Sequence, residues 1–149
     1  MAKLLLMHGI NHAMFGKRDP KYYGTVTLQE IEDQATAWAR ELGHDLECFQ
    51  TDIEGEMALK IHDAYSGDVE AIVINAGAWT HYSYGILDAL GIFKDKGPII
   101  ETHMSNVHAR EPFRHISVFS SVVAGQICGF GVTTYKLGII AAADLLAKR

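Results

Sequence analysis

Five consecutive residues, Ala71-Ile72-Val73-Ile74-Asn75, constrain the fold more than any other stretch: an unbroken apolar run ending on a polar side chain. Successive side chains of a strand point to opposite faces, so a strand apolar at every position must be covered on both sides. This is the signature of a central strand in a parallel sheet with helices above and below. Four further strands are predicted. Lys3–Met7, ahead of Gly9, is the first, and Asp45–Gln50 alternates enough to be the second. Pro98–Glu101 and Gln126–Phe130, the latter bounded by Gly125 and Gly131, complete the set.

Helical patterns separate these runs. Thr27-Leu28-Gln29-Glu30 is a capping box in which Thr27 accepts from a backbone N–H and Glu30 reaches back. Leu28, Ile31, Ala35, Trp38 and Leu42 follow at helical spacing and Gly43 closes the segment, predicting a helix over Thr27–Leu42. Glu54–Tyr65, with Met57, Ile61 and Tyr65 on one face, Ser83–Leu90 and Thr134–Leu146 are the other helices. Strand and helix alternate, which requires right-handed crossovers and a parallel sheet. The predicted class is therefore α/β: a flavodoxin-like, doubly wound, five-stranded parallel sheet with helices on both faces. The 149 residues suit one catalytic domain, residues 1–149. The one long irregular segment, His8–Gly24, runs to about 17 residues, longer than the usual βα loop, and is expected to be a lid or binding loop.

Composition excludes several classes. No apolar run approaches the ~18 residues of a membrane span. The N-terminal stretch Met1–Met7 lacks the pattern of a signal peptide and reads as a strand. A net charge of −5 argues against nucleic acid and acidic membranes as partners. Cys48 and Cys128 lie far apart in apolar runs and read as buried free thiols. No Cys/His pair has zinc spacing, so no metal site is expected. No Gly-x-Gly-x-x-Gly or Gly-Lys-Ser/Thr loop occurs, so nucleotide loops are not indicated. The expected address is the cytoplasm.

Chemistry collects after three strands. Asn11, Arg18, Tyr22 and Tyr23 follow the first, Asn75, Gly77, His81 and Asp88 the third, and Glu101, His103, Ser105, Arg110 and Arg114 the fourth. In a parallel sheet these loops leave the same edge and converge on one crevice. A free tyrosine titrates near ~10, but a guanidinium beside it favours the phenolate. Arg18, five residues before Tyr23, can supply that guanidinium. Glu101 lies two residues before His103, on the same strand face, and can fix its tautomer. Tyr23 as base and His103 as acid suit an elimination of water. Plainer readings compete: Tyr23 as a loop aromatic, Arg18 paired with Asp19 at the surface, His103 as a core histidine, and Arg110 and Arg114 on a solvated helix face. Trp38, Trp79 and the phenylalanines read as packing. His12, His44, His62 and His115 have no constellation.

Together these clusters resemble type II 3-dehydroquinate dehydratases, nearly end to end. The matching stretches include His8-Gly9-Ile10-Asn11, Gly16-Lys17-Arg18-Asp19-Pro20, Tyr23-Gly24, Ile74-Asn75-Ala76-Gly77-Ala78, Thr80-His81, Asp88-Ala89-Leu90 and, most specifically, Glu101-Thr102-His103-Met104-Ser105-Asn106-Val107-His108-Ala109-Arg110-Glu111 with Phe113-Arg114-His115. The resemblance implies conversion of 3-dehydroquinate to 3-dehydroshikimate in the shikimate or quinate pathway, without metal, Schiff base or other cofactor. It implies Tyr23 as base, supported by Arg18 and Arg110, Asn11 holding a water on the enolate-like oxygen, and His103 as acid, oriented by Glu101. The carboxylate would meet Asn75 and the backbone N–H groups of Met104 and Ser105, near a helix start. His81, Arg114 and Asp88 would read ring hydroxyls, Asp88 from a neighbouring subunit of a trimer, with four trimers forming a dodecamer.

The chain departs from that pattern in its first loop, where Gly9-Ile10-Asn11-His12-Ala13-Met14-Phe15-Gly16 stands for Gly-Pro-Asn-Leu-Asn-Leu-Leu-Gly. In the third helix Leu87 replaces an arginine, and Tyr82, Tyr84 and Gly85 replace commoner Thr, Val and Ala. Altered lid closure and altered assembly are the expected consequences. They leave two rivals open: a divergent dehydratase of a related cyclic polyol acid, and a non-catalytic anion-binding module of flavodoxin-like fold.

Overall fold

Alternation along the strands divides the interior in two. In the computed structural model, which describes residues 1–149, strand β1 (Lys3–His8) sends Leu5 and Met7 to one side and Leu4 and Leu6 to the other, all fully buried. Strand β3 (Val69–Asn75) does the same, with Ile72 and Ile74 on the first side and Ala71 and Val73 on the second. Helices α3 (Glu54–Ser66) and α4 (Tyr84–Phe93) cover the first side with Met57, Ile61, Ile86, Leu90 and Phe93. Helices α2 (Leu28–Glu41) and α5 (Thr133–Ala147) cover the second with Ile31, Ala35, Tyr135, Ile139 and Ala142. The sheet is all parallel in the order β2-β1-β3-β4-β5, with β2 at Asp45–Gln50, β4 at Ile99–His103 and β5 at Gly125–Cys128. This is the flavodoxin-like doubly wound arrangement predicted above, and its crevice lies where the order reverses between β1 and β3.

Register brings the chemistry together. His8 pairs with Asn75, and Ile74 with Glu101, so β1, β3 and β4 end at one level. Gly9 lets the first loop leave beside β3: a Cβ there would lie 2.4 Å from the Ala76 carbonyl oxygen.

Several boundaries differ from expectation for local reasons. Strand β4 runs two residues further, carrying His103 within the sheet. Strand β5 ends at Cys128 because Gly129, at φ 98°, leaves the extended region. The Thr27 hydroxyl caps α2 by accepting from the Glu30 N–H, but the Glu30 carboxylate returns to that hydroxyl (3.0 Å) rather than to a backbone N–H. Tyr65, expected on the buried face of α3, is exposed, and Ala64 packs instead. Cys48 and Cys128 are free thiols, as expected, but only half-buried. The His8–Gly24 segment is less irregular than anticipated, holding a 3-10 turn at His12–Met14 and a short helix α1 at Pro20–Tyr23. No helix is long and apolar enough to cross a membrane.

His8 ends β1 with its ring fully buried against Tyr135, 5.8 Å between centroids, and neither ring nitrogen hydrogen-bonded. Burial pushes its pKa down to about 3, so the approach of Glu32 Oε2 to 3.6 Å is not an ion pair at neutral pH. In the unfolded chain the ring titrates near 6.5. Below that value the unfolded state takes up a proton that the folded state refuses. The contribution to stability is therefore full above pH 6.5 and is lost as the pH falls towards 3. In urea unfolding, the wild-type midpoint is expected to drop more steeply than that of His8→Leu between about pH 7 and about pH 4. Parallel curves would contradict the buried neutral imidazole.

Candidate active site

The strongest construction in the cleft surrounds a carboxylate. Glu101 lies on β4 with 3% exposure, and each oxygen is filled. Oε2 is 2.8 Å from His103 Nε2; Oε1 accepts from the Ser117 hydroxyl at 2.6 Å and from Gln126 Nε2 at 3.2 Å. Burial pushes the Glu101 carboxyl upward, but His103, Ser117 and Gln126 outweigh it and hold it below the usual 4.5. An ionised Glu101 accepts from His103 Nε2–H, which leaves Nδ1 as the ring nitrogen without a partner in the protein. His81 stacks near His103, 6.2 Å between centroids. Its Nδ1 donates to the Ile116 carbonyl at 2.8 Å, freeing Nε2. Burial lowers the His81 pKa from its ordinary value, favouring the neutral ring.

The second construction surrounds a phenol. Arg18 Nη2 donates to Tyr23 Oη at 2.9 Å and Arg110 Nη1 at 3.0 Å. The Arg18 guanidinium also lies over the Tyr23 ring, 3.8 Å from its centroid, and that of Arg110 over Tyr22 at 4.0 Å. Arg110 Nη1 is further fixed by the Ser105 hydroxyl at 3.0 Å. Two charged donors on one oxygen stabilise an anion there more than a neutral hydroxyl. Arg18 therefore turns inward and does not pair with Asp19, whose carboxylate caps α1 through the Lys21 N–H. Nor do Arg110 and Arg114 form a solvated helix face. Arg110 closes the 3-10 turn Val107–Ala109, Arg114 lies within the next, Pro112–His115, and the two share Glu111 as ion partner.

Between the two lies a cavity of about 110 Å³ lined by Asn11, Arg18, Tyr23, Asn75, His81, His103, Met104, Ser105, Arg110 and Arg114. Of the residues to which the resemblance gives a role the cleft gathers all but two, and Tyr22, named with the first-loop cluster, lines only the outer concavity. Glu101 stands behind His103. Asp88 is exposed on α4, outside the cavity of its own chain. The backbone N–H groups of Met104 and Ser105 have no acceptor in the protein, although the expected helix start is only a single 3-10 turn. Asn75 donates to Tyr135 Oη at 2.8 Å and accepts from the Gly77 N–H at 3.2 Å, keeping one amide N–H for a ligand. A wider concavity of about 600 Å³ opens on the outer side of Tyr22, Tyr23 and Arg110. It lacks His81, His103 and Arg114, so the chemistry belongs to the smaller cavity.

Sequence reasoning missed the supports. Ser117 and Gln126 fill Glu101, and Tyr135 holds Asn75. A buried amide and a buried carboxylate both require partners, which signals that such groups exist without naming them. His12 was also missed. Its ring is buried, accepts the Gly9 N–H on Nδ1 at 3.1 Å and lines the cavity.

A doubly wound sheet that opens an imidazole–carboxylate pair and an arginine-flanked phenol at its switch point has the equipment of an α/β enzyme for a small anionic substrate. The chain belongs to the type II dehydroquinase family: the family model described as dehydroquinase class II matches residues 2–143. It is 62% identical over 146 residues to a 3-dehydroquinate dehydratase of Syntrophotalea carbinolica, covering 98% of this chain and 97% of that one. It is 58% identical to one of Pelobacter propionicus with the same coverage. The crystal structure of the type II dehydroquinase from Propionibacterium acnes is similar with a TM-score of 0.91, at 40% identity and 97% coverage of each chain.

Ser117→Ala removes a hydrogen bond to a buried ionised carboxylate, worth about 1.5–3 kcal/mol. A loss of that size in urea unfolding at neutral pH is expected. No loss would show that Glu101 is satisfied without it.

Proposed function

We propose that the chain eliminates water from 3-dehydroquinate to give 3-dehydroshikimate, with Tyr23 as base and His103 as acid. The observation that carries this reading is the pair of guanidinium N–H groups, from Arg18 and Arg110, on the Tyr23 oxygen. They stabilise the phenolate that removes a proton from the carbon next to the ketone. The electron pair moves onto the ketone oxygen, where a water held by Asn11 meets it. The enolate then reforms the carbonyl and expels the hydroxyl on the β-carbon. His103 delivers the proton that makes it water, and Glu101 stabilises the ring while it is charged. The substrate carboxylate binds the free N–H groups of Met104 and Ser105 and the amide of Asn75. His81 and Arg114 read ring hydroxyls.

Residues 1–149 act as one catalytic domain in this reading, and the segment from about 8 to 24 closes as a lid, since it carries both Arg18 and Tyr23. Asp88, exposed and outside its own cleft, serves a neighbouring subunit's cleft in a trimer, with four trimers forming a dodecamer. Exposed apolar side chains beside it, Tyr84 (69%) and Ile92 (45%), are consistent with a covered α4. The proposed compartment is the cytoplasm, consistent with two free cysteines.

Turnover is read from the ultraviolet absorbance of the conjugated enone product. Tyr23→Phe is expected to lower kcat by about 10²–10⁴-fold with KM nearly kept, and His103→Ala to lower kcat on a similar scale. Near-wild-type kcat in Tyr23→Phe would refute the tyrosine base, and a wild-type protein with no product would refute the dehydratase. Shared clefts give a separate test. Asp88→Ala and Tyr23→Phe chains, each inactive alone, should regain activity when refolded together. Persistent inactivity would place Asp88 outside the neighbour's site.

A further inference from the structure

His12 lies outside the acid–base machinery described so far, yet its ring is 2% exposed and borders the cavity. Its Nδ1 accepts the Gly9 N–H at 3.1 Å, a donor shared with the Asn75 carbonyl at 2.8 Å, so the Nδ1 lone pair faces an N–H and not the cavity. Burial, with the nearby Arg18 guanidinium adding to it, holds the His12 pKa well below 6.5. A neutral ring that accepts on Nδ1 carries its proton on Nε2. No protein group accepts from that Nε2–H, and Nε2 is not sealed from the cavity as both nitrogens of His8 are. The space in front of it is kept open by Gly77, at φ 61°, where a Cβ would come to 3.1 Å from Nε2 and 3.2 Å from the Ile10 carbonyl oxygen. The ring is also held in place, stacked on Phe15 at 4.7 Å, with Phe15 in turn 5.9 Å from the Tyr23 ring.

We propose that His12 is a second catalytic imidazole, whose Nε2–H donates to the ketone oxygen as that oxygen becomes an enolate. The proposal rests on the dehydratase reading above. Two features choose the ketone over the carboxylate. The free N–H groups of Met104 and Ser105, which suit a carboxylate, leave β4, whereas His12 follows Asn11 on the first loop. His12 also belongs to the Tyr23 side of the cleft through Phe15. The proton removed by Tyr23 sits on the carbon bonded to the ketone carbon, so the ketone oxygen lies close to the base. A neutral imidazole suffices as donor to such an oxygen: it strengthens its hydrogen bond as charge develops and keeps its own proton. The step moves no further atoms. The C–H electron pair forms the C=C bond of the enolate, the C=O π pair moves onto oxygen, the proton passes to Tyr23, and the His12 N–H remains intact.

Two variants separate this role from a structural one. His12→Asn retains an acceptor for the Gly9 N–H but removes the cleft donor. His12→Gln carries an amide N–H towards the position of Nε2 but gives up the Gly9 acceptor. Loss of an oxyanion donor is expected to lower kcat of His12→Asn by about 100-fold. KM should change by less than about threefold, and His12→Gln should recover part of the lost rate. His12→Asn as active as wild type, or more active than His12→Gln, would overturn the proposal. So would a rise in KM at constant kcat, which reports ground-state binding. Imidazole nitrogen NMR of the unsubstituted protein at neutral pH gives a reading independent of either variant. A protonated Nε2 and a bare Nδ1 on His12 are expected, and a protonated Nδ1 would overturn the assignment. Because the wild type is assayed on 3-dehydroquinate alongside, failure of the dehydratase reading appears as an inactive wild type, and failure of this one as an active His12→Asn.

Discussion

An ionised carboxylate inside a buried strand is tolerated only when its lone pairs are filled, and Glu101 sets that requirement for the whole cleft. Its three partners come from three places: His103 two residues along β4, Gln126 across the register on β5, and Ser117 from the segment that connects them. Satisfying one charge therefore fixes the β4–β5 register, the path of the 112–124 connection and the orientation of the His103 ring. Packing sets the sheet, but this hydrogen-bonded charge determines what the sheet's edge presents to solvent.

The opposite side of the cleft follows a different logic. Tyr23 is not in the sheet. It ends a four-residue helix in the first loop and is only half-buried. What positions it is a pair of cations, one from its own loop and one from the loop after β4. The phenol is the meeting point of two otherwise separate segments, and the site is complete only when the first loop lies against Arg110. In the proposed reading the acid sits in the rigid sheet and the base on the loop, so the chemistry would depend on the first loop lying against Arg110.

The fold was legible because its signals are local and redundant. The apolar run 71–75 demanded two covered faces, and alternation of strand and helix supplied the covers. The cleft was legible in part. Strand-end clustering put Asn11, Arg18, Tyr23, Asn75, His81, His103, Ser105, Arg110 and Arg114 at one edge, and register brings them there. What escaped is non-local. Ser117 and Tyr135 reach Glu101 and Asn75 across 16 and 60 residues, and nothing in their own surroundings marks them as polar supports. Tyr135 opens an apolar helix, where an aromatic reads as packing. His12 and Phe15 form a stacked pair inside a segment whose irregularity conceals its 3-10 turn. Boundaries failed where a glycine conformation decided them, as at Gly129.

The first loop also shows why two imidazoles of similar burial differ in consequence. His8 and His12 lie 6.3 Å apart, and burial holds both neutral. His8 makes no hydrogen bond, so it acts as an aromatic filler whose desolvation is a standing cost near neutral pH and a liability in acid. His12 recovers part of that cost through the Gly9 N–H and directs its remaining donor to the cavity. An apolar side chain, such as the leucine of the pattern this loop departs from, would fill the same space beside Phe15 without desolvating any polar atom. A buried N–H that only a ligand can satisfy lowers the stability of the empty cleft and raises the advantage of the filled one. The sign of that difference favours an anionic oxygen over a neutral one at this position, because the hydrogen bond strengthens with the charge it receives.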